Sequence, residues 1–286
     1  MATGLRWLVA SQGDAKHIGW AHPLVACVVY YLAVVPASWW ASVWLGGTAS
    51  GGRGDSGGDQ GVTGYELGYW PGVCKGLVAY LAVLLGSRLV TKGSVVLYEF
   101  MWGCNVALVL GALAGATGNA LLLAGAVVSV AVDQVMWYVD IAAYVITGSF
   151  PIGVAKYLIW PTTGWVQRAT SGHHLAFIPL ALWMLGEAQT GFPPGTFALS
   201  IVVLVVEGGA TRLLAPFSIV YPSRPPLMLN INLTHECWTD VPFALLHIAD
   251  GASFLPAMAW LVTVWSSTNA ICYAVLLAIE SVVYGV

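Results

Sequence analysis

The chain has 286 residues, of which 58% are hydrophobic and only 8% are charged, and its mean hydropathy is +0.80. Because a soluble domain carries about 25% charged residues, this composition excludes a soluble globular domain. It predicts an all-α polytopic protein, integral and multi-pass in a plasma or organellar membrane. The net charge of −3, with no basic stripe, excludes nucleic acid as a partner and favours membrane lipids and other membrane proteins.

The N-terminal residues 1–22 lack a long apolar core with a small-residue cleavage site, so we interpret them as an interfacial segment rather than a removed signal peptide. Residues 23–286 are predicted to form a single transmembrane helical domain. Within it, the glycine-dense stretch 46–64 has little to bury, which predicts a mobile loop. A spanning helix needs about 20 mainly apolar residues. Eight runs meet that length: 23–45, 70–90, 94–116, 119–147, 172–190, 195–216, 241–264 and 267–286.

Basic residues are distributed unevenly between the connections of these eight spans. Eight of the ten Lys and Arg residues precede the first span or lie in connections on the same face, and only Arg53 and Lys75 lie on the other. Because positively charged connections stay inside, both termini are predicted on the inside face. An unbroken helix through 264–269 would instead give seven spans and place the C-terminus outside. We prefer the eight-helix prediction.

Ionisable side chains also gather towards the predicted inside face. All six histidines lie near that face. Six carboxylates lie within predicted spans: Glu99, Asp133, Asp140, Glu207, Asp250 and Glu280. A charged residue at the centre of a membrane helix costs roughly 2.5 to 3.5 kcal/mol and normally faces a cavity, a partner or a proton source. We therefore predict one polar cavity that opens inside and is walled by the third to eighth spans.

The candidate site combines histidines with carboxylates. Asp133 and Asp140 are seven residues apart, and His247 and Asp250 are three apart, so each pair shares a helix face. The predicted metal ligands are His173, His174, His235, His247 and Asp250. The predicted catalytic residues, which would move protons or orient the ligands, are Asp133, Asp140, His174, His247 and Asp250.

The predicted ligands suit one zinc ion or two irons, although no compact motif such as HExxH is present. A non-covalent haem held by His174 and His247 is the alternative cofactor. Lys156 and Arg168 are predicted to bind an anionic headgroup, and snorkelling to the interface is their alternative role. The five cysteines form no CxxC pair, and we interpret the four that lie in or beside apolar runs as small buried hydrophobic residues.

The preferred function is an enzyme that acts on a lipid or another apolar substrate entering from the bilayer. A zinc ion would lower the pKa of a bound water and support hydrolysis or acyl transfer. Two other functions stay open. Acids on several helices are typical of a proton- or cation-coupled transporter. A non-catalytic subunit of a larger membrane complex would use the same polar residues to bind its partners.

Overall fold

The computed structural model describes residues 23–50, 66–221, 224–237 and 244–284, and these are mostly helical. The predicted interfacial segment 1–22 and most of the predicted mobile loop lie outside the described residues. Only the start of that loop is described, and residues 46–50 are helical there, as the end of the first helix. The prediction that the loop begins at residue 46 is therefore wrong.

Ten α-helices and one antiparallel strand pair are present in the described residues. The helices are α1 Pro23–Ser50, α2 Pro71–Lys92, α3 Val96–Glu99, α4 Gly103–Thr117, α5 Ala120–Ser129, α6 Ala131–Thr147, α7 Trp165–Ala169, α8 His173–Glu187, α9 Thr196–Leu214 and α10 Phe254–Tyr284. The strands are β1 Ser218–Tyr221 and β2 Arg224–Met228. Short 3₁₀ turns occupy Gly93–Val95, Lys156–Ile159, Ile231–Leu233 and Ala244–His247.

Four segments are long and apolar enough to cross a membrane: Pro23–Gly46, Pro71–Glu99, Thr196–Leu214 and Phe254–Val283. The pair α5 and α6, bent by 53° at its junction, makes a fifth if it counts as one span. The predicted spans 94–116 and 172–190 correspond to α4 and α8, which have 15 residues each. At 1.5 Å per residue such a helix is only about 22 Å long, shorter than a hydrocarbon core of about 30 Å. Eight full spans are therefore not found in the described residues.

The last two predicted spans are largely one helix. Residues 254–284 run without a break through 264–269, so the predicted boundary between 264 and 267 is wrong. The polar residues there remain helical because their hydroxyls return to carbonyls one turn earlier: Ser267 Oγ donates to Thr263 O over 2.7 Å, and Thr268 Oγ1 to Val264 O over 2.9 Å. Residues 244–250, predicted to lie in the seventh span, form a 3₁₀ turn and a loop.

Contacts with the connections between helices show where the two ends of α1 and the end of α10 lie. Near the start of α1, Tyr31 donates to the carbonyl of Phe100, next to the α3–α4 break. The other end of α1 meets the α4–α5 connection, where Asn119 Nδ2 donates to Ser42 Oγ over 2.9 Å. Near the end of α10, Glu280 lies against Gly191 in the α8–α9 connection. Because α10 is one helix, the described residues do not contain the turn between 264 and 267 that the eight-span prediction requires.

Helix α5 lies at the centre of the bundle, and all ten of its residues are buried. Gly125 allows this packing, because a Cβ atom there would lie 2.6 Å from Leu199 Cδ2 on α9. The break after α5 exposes backbone groups that Asn269 satisfies: its Oδ1 accepts from Val132 N over 3.0 Å, and its Nδ2 donates to Ser129 O over 3.2 Å. This bridge fixes the start of α6 in the middle of the bundle, beside the cavity described next.

Candidate functional site

A cavity of about 500 Å³ opens at one end of the bundle. Its wall is formed by the end of α2, the start of α4, the α5–α6 junction, residues 152–157, the start of α8, the middle of α9, residues 227–233 and the first half of α10. Four of the predicted site residues line it: Asp133, Lys156, His173 and His174. The wall contains both ionisable and apolar side chains, which is the composition of a site for an amphipathic ligand.

Three side chains of the kinds that can hold a metal ion converge on the cavity wall. The donor atoms of Cys104, His173 and His174 all lie within 4.8 Å of one another. The α3–α4 break brings Cys104 to the cavity in the first turn of α4, and the two histidines form the first turn of α8. One thiolate and two imidazoles with an open fourth position form a donor set that zinc accepts in catalytic sites. We define Cys104, His173 and His174 as the ligand cluster.

The ring of His173 has the hydrogen bonds expected of a metal ligand. Its Nδ1 lies 3.1 Å from Thr170 O and 3.0 Å from the hydroxyl of Tyr80, which itself donates to Thr170 O over 2.7 Å. Donation from Nδ1–H to that carbonyl leaves the lone pair on Nε2. His173 is 6% exposed, and its Nε2 is buried with no hydrogen-bond partner in the described part of the chain. A ligating histidine typically donates its other N–H to a backbone carbonyl in this way.

His174 is held between two side chains of α6. Its ring stacks on Trp137 with centroids 5.2 Å apart, and its Nδ1 lies 3.3 Å from the Gln134 side-chain amide. If that amide turns by 180°, Gln134 Oε1 accepts a hydrogen bond from Nδ1–H, which leaves the lone pair on Nε2. The centroids of the two histidine rings are 4.1 Å apart. Hydrogen bonds at Nδ1 and contacts with neighbouring rings therefore position both imidazoles.

Two carboxylates lie beside the ligand cluster. Glu207 on α9 is 5% exposed, and its Oε1 has no hydrogen-bond partner among the described residues. It fits because residue 103 is glycine: a Cβ atom at Gly103 would lie 3.0 Å from Glu207 Oε2. Asp133 on α6 also lines the cavity, and both carboxylates interact electrostatically with Cys104. Each is a candidate to accept a proton from a water at the ligand cluster.

Cationic and aromatic residues complete the wall. Arg88 and Lys92 come from the end of α2, and Lys92 Nζ pairs with Glu99 over 2.8 Å. Lys156 and Trp160 are exposed at the rim of the cavity, together with Leu227 and Met228 of the strand pair. Trp and Lys at a rim are typical of the membrane–water interface.

Asp140, a predicted catalytic residue, does not line the cavity and binds the loop of residues 152–155. It is fully buried, and its Oδ1 accepts from the backbone N–H groups of Ile152 (2.8 Å) and Gly153 (3.2 Å). Its Oδ2 accepts from Ala155 N over 3.0 Å. Three of the acceptor sites of this carboxylate are therefore used by the loop that covers it. Asp140 anchors residues 152–157, which form one wall of the cavity.

Three other predicted ligands lie away from the cavity. His235 is buried against Phe217, and its Nε2 lies 3.1 Å from Ala215 O. His247 and Asp250 lie in the loop before α10, where His247 Nδ1 is 2.7 Å from Asp250 Oδ2. Because residues 244–250 are not the predicted membrane helix, this pair does not reach the ligand cluster. A haem held jointly by His174 and His247 is therefore not supported.

Arg168 is also outside the cavity. It is exposed on α7, and its Nη2 donates to Trp160 O over 3.3 Å. Of the two predicted headgroup-binding residues, only Lys156 lines the wall. The sequence prediction did not include Cys104 or Arg88 in the site, and it placed Glu207 among the cavity acids without a specific role. No local motif indicates Cys104, which lies inside the predicted span 94–116.

Comparison with known proteins finds no matching family model, curated protein or solved structure. The geometry of the cavity therefore carries the functional argument.

Proposed function

We propose that the chain is a multi-pass membrane enzyme that uses a metal ion held by Cys104, His173 and His174 to act on a lipid or another apolar substrate. One observation carries the proposal: three ligand atoms lie within 4.8 Å of one another on a cavity wall. The buried Nε2 of His173 strengthens it, because a buried nitrogen without a partner is costly unless a ligand occupies that position.

The chemistry that fits this wall is hydrolysis of an ester or amide. A divalent metal supplies Lewis acidity and lowers the pKa of a bound water. Glu207 or Asp133 would accept a proton from the attacking water as the oxygen of the water bonds to the carbonyl carbon. The same carboxylic acid then returns the proton to the alcohol or amine that leaves as the original bond breaks. Leu204, Leu261 and Trp265 on the wall provide apolar contacts for the rest of the substrate.

The proposal places the cavity at the positively flanked, inside face of the membrane. This placement is supported by the composition of the cavity wall. The wall contains residues from 88–99, 152–167 and 227–233, which lie in or next to connections predicted on that face. A cysteine placed at exposed Lys92 would then react with a membrane-impermeant maleimide only from the inside. Reaction of that cysteine from the outside only would contradict the placement.

Elemental analysis of the purified full-length protein tests the metal site. We expect about one zinc or iron per chain, as in a mononuclear three-ligand site, and loss of that metal in C104S and H173Q. Matched controls are C272S and H247Q, because both residues lie outside the cavity wall. An absorption spectrum of the same samples detects haem.

Two outcomes would contradict the metal site. The first is wild-type protein that binds neither zinc nor iron after equilibration with each ion, and the second is C104S protein that binds metal as the wild type does. Metal-free protein that moves a solute in proteoliposomes would establish the transporter alternative. A chain that is folded only when it co-purifies with a second protein would favour the subunit alternative.

A further inference from the structure

Arg88 is a cation of the cavity wall whose described partners are all neutral. Its Nε and Nη2 both point to one hydroxyl, Thr170 Oγ1, at 3.4 and 3.3 Å. No carboxylate of the described residues lies within salt-bridge distance of Arg88, whereas its neighbour Lys92 pairs with Glu99. Arg212, near the end of α9, donates instead to the carbonyls of Thr234 and Ala252. Arg88 thus differs from Lys92 in having no carboxylate partner among the described residues, and from Arg212 in lining the cavity.

Thr170 connects Arg88 to the ligand cluster. Its hydroxyl accepts from Arg88, and its carbonyl lies 3.1 Å from His173 Nδ1. The charge of Arg88 also acts electrostatically on His173, His174 and Cys104. An anionic group held by the guanidinium would therefore lie next to the three ligand atoms.

The positive charges of the wall would attract an anion, and its two unpaired carboxylates would repel one. Asp133 and Glu207 line the same cavity as Arg88, so an anion is favoured at the guanidinium itself. Lys156 adds a second positive charge at the rim, beside the exposed surfaces of Trp160 and Met228. This arrangement matches an amphiphile whose charged group lies inside the cavity and whose apolar part leaves over an aromatic and aliphatic rim. An arginine inside a membrane segment commonly marks such a substrate path.

We propose that Arg88, supported by Lys156, binds a phosphate-type oxyanion next to the ligand cluster. The inference rests on the proposed function and defines its substrate as an anionic amphiphile. A guanidinium matches the geometry of a phosphate oxygen pair and forms two parallel charge-assisted hydrogen bonds with it. The oxyanion could be the headgroup of a lipid or free phosphate, and the two sources are separated by the ligands used below.

Binding to the purified full-length chain in a neutral detergent tests this site. The probes are a short-chain phosphatidic acid, the matching phosphatidylcholine and inorganic phosphate. We expect the wild type to bind phosphatidic acid, and R88Q to bind it about tenfold more weakly because one charge-assisted bidentate contact is lost. R88K, which keeps the charge but not the planar fork, should lie between them. R168Q is the matched control, since Arg168 is exposed outside the cavity.

Two further measurements keep this inference separate from the metal proposal. C104S should lose metal yet still bind phosphatidic acid, and R88Q should keep its metal, which also shows that R88Q is folded. If R88Q does not fold, the comparison of R88K with the wild type replaces it. Preference for phosphatidic acid over phosphate identifies a lipid headgroup, and equal binding of both identifies free phosphate as the source.

The inference is overturned if phosphatidic acid and phosphate both fail to bind the wild type. It is also overturned if R88Q and R88K bind phosphatidic acid as tightly as the wild type. Equal binding of phosphatidylcholine and phosphatidic acid would likewise show that the guanidinium does not select an anion.

Discussion

Replacement of Asp140 by alanine should destabilise the protein strongly while leaving the ligand cluster intact. The fully buried carboxylate accepts from the three backbone N–H groups of Ile152, Gly153 and Ala155. An unsatisfied buried donor costs about 1–3 kcal/mol, so three of them cost about 3–6 kcal/mol if water reaches some of the groups. That is a large fraction of a typical unfolding free energy of about 5–15 kcal/mol.

Asparagine at position 140 should have a smaller effect than alanine. D140N keeps one acceptor oxygen, which can serve the N–H groups of Ile152 and Gly153, but it presents an amide NH₂ to the N–H of Ala155. The loss of one hydrogen bond and the burial of one unsatisfied donor should lower the free energy of unfolding by about 1–3 kcal/mol. The expected order of stability is therefore wild type, then D140N, then D140A, measured by thermal unfolding in detergent.

Asp133 provides the matched control on the same helix. Its carboxylate lines the cavity and holds no loop, so D133N should unfold near the wild-type temperature and lose turnover of the substrate. Both Asp140 variants should still bind metal at low temperature. The reasoning is refuted if D140A is as stable as the wild type but has lost its metal or its activity, because Asp140 would then be a ligand or a base.

Three further predictions concern residues outside the ligand cluster. Burial lowers the pKa of His235 from 6.5 to about 4, so the free energy of unfolding should be highest above about pH 6.5 and should fall as the pH drops towards 4. In denaturation curves measured across this pH range, H235Q should show a smaller decline. Removal of the bridge at the α5–α6 break in N269A should cost about 1–3 kcal/mol, and an unchanged melting temperature would contradict that role. G125A should cost about 1–3 kcal/mol through overpacking against Leu199, whereas G76A, where nothing lies within 4 Å of the added Cβ, should unfold like the wild type.

Hydropathy predicts the long helices well because the bilayer sets a minimum apolar length. The bounds predicted for α1, α2 and α9 agree with the structure to within a few residues at most ends. The errors occur where backbone groups find partners that a hydropathy window does not represent. In α10 the Ser and Thr hydroxyls bond to their own helix, so a polar stretch does not end it. At Val130 a distant asparagine satisfies a break within an apolar run.

The ligand cluster could be predicted only in part because its members are far apart in sequence. His173 and His174 were recognisable as polar residues at the start of an apolar run. Cys104 is 69 residues before His173, and a cysteine in an apolar helix is more often a small hydrophobic residue. Its role depends on the break at residues 100–102, which turns the first turn of α4 towards the cavity. A break of this kind leaves no local motif.

The six acids predicted within spans outnumber the two arginines near them. In the structure, most of these acids have partners that require no additional cation. Four acids have partners or backbone contacts away from the ligand cluster: Asp140, Glu99, Asp250 and Glu280. Asp140 is satisfied by backbone donors, Glu99 by Lys92, and Asp250 by His247 and the N–H of Cys237. Glu280 contacts the backbone at residue 192, at the end of the bundle far from the cavity.

Asp133 and Glu207 are the remaining two of these six acids, and both lie beside the ligand cluster. No cation of the described residues lies within salt-bridge distance of either carboxylate, although Arg88 lines the same cavity. Carboxylates at this depth would be costly if they served only packing. A divalent cation at Cys104 and the two histidines would offset their charge, and a proton on Glu207 would do the same. The positions of these two acids thus support independently the site that the three ligand atoms define.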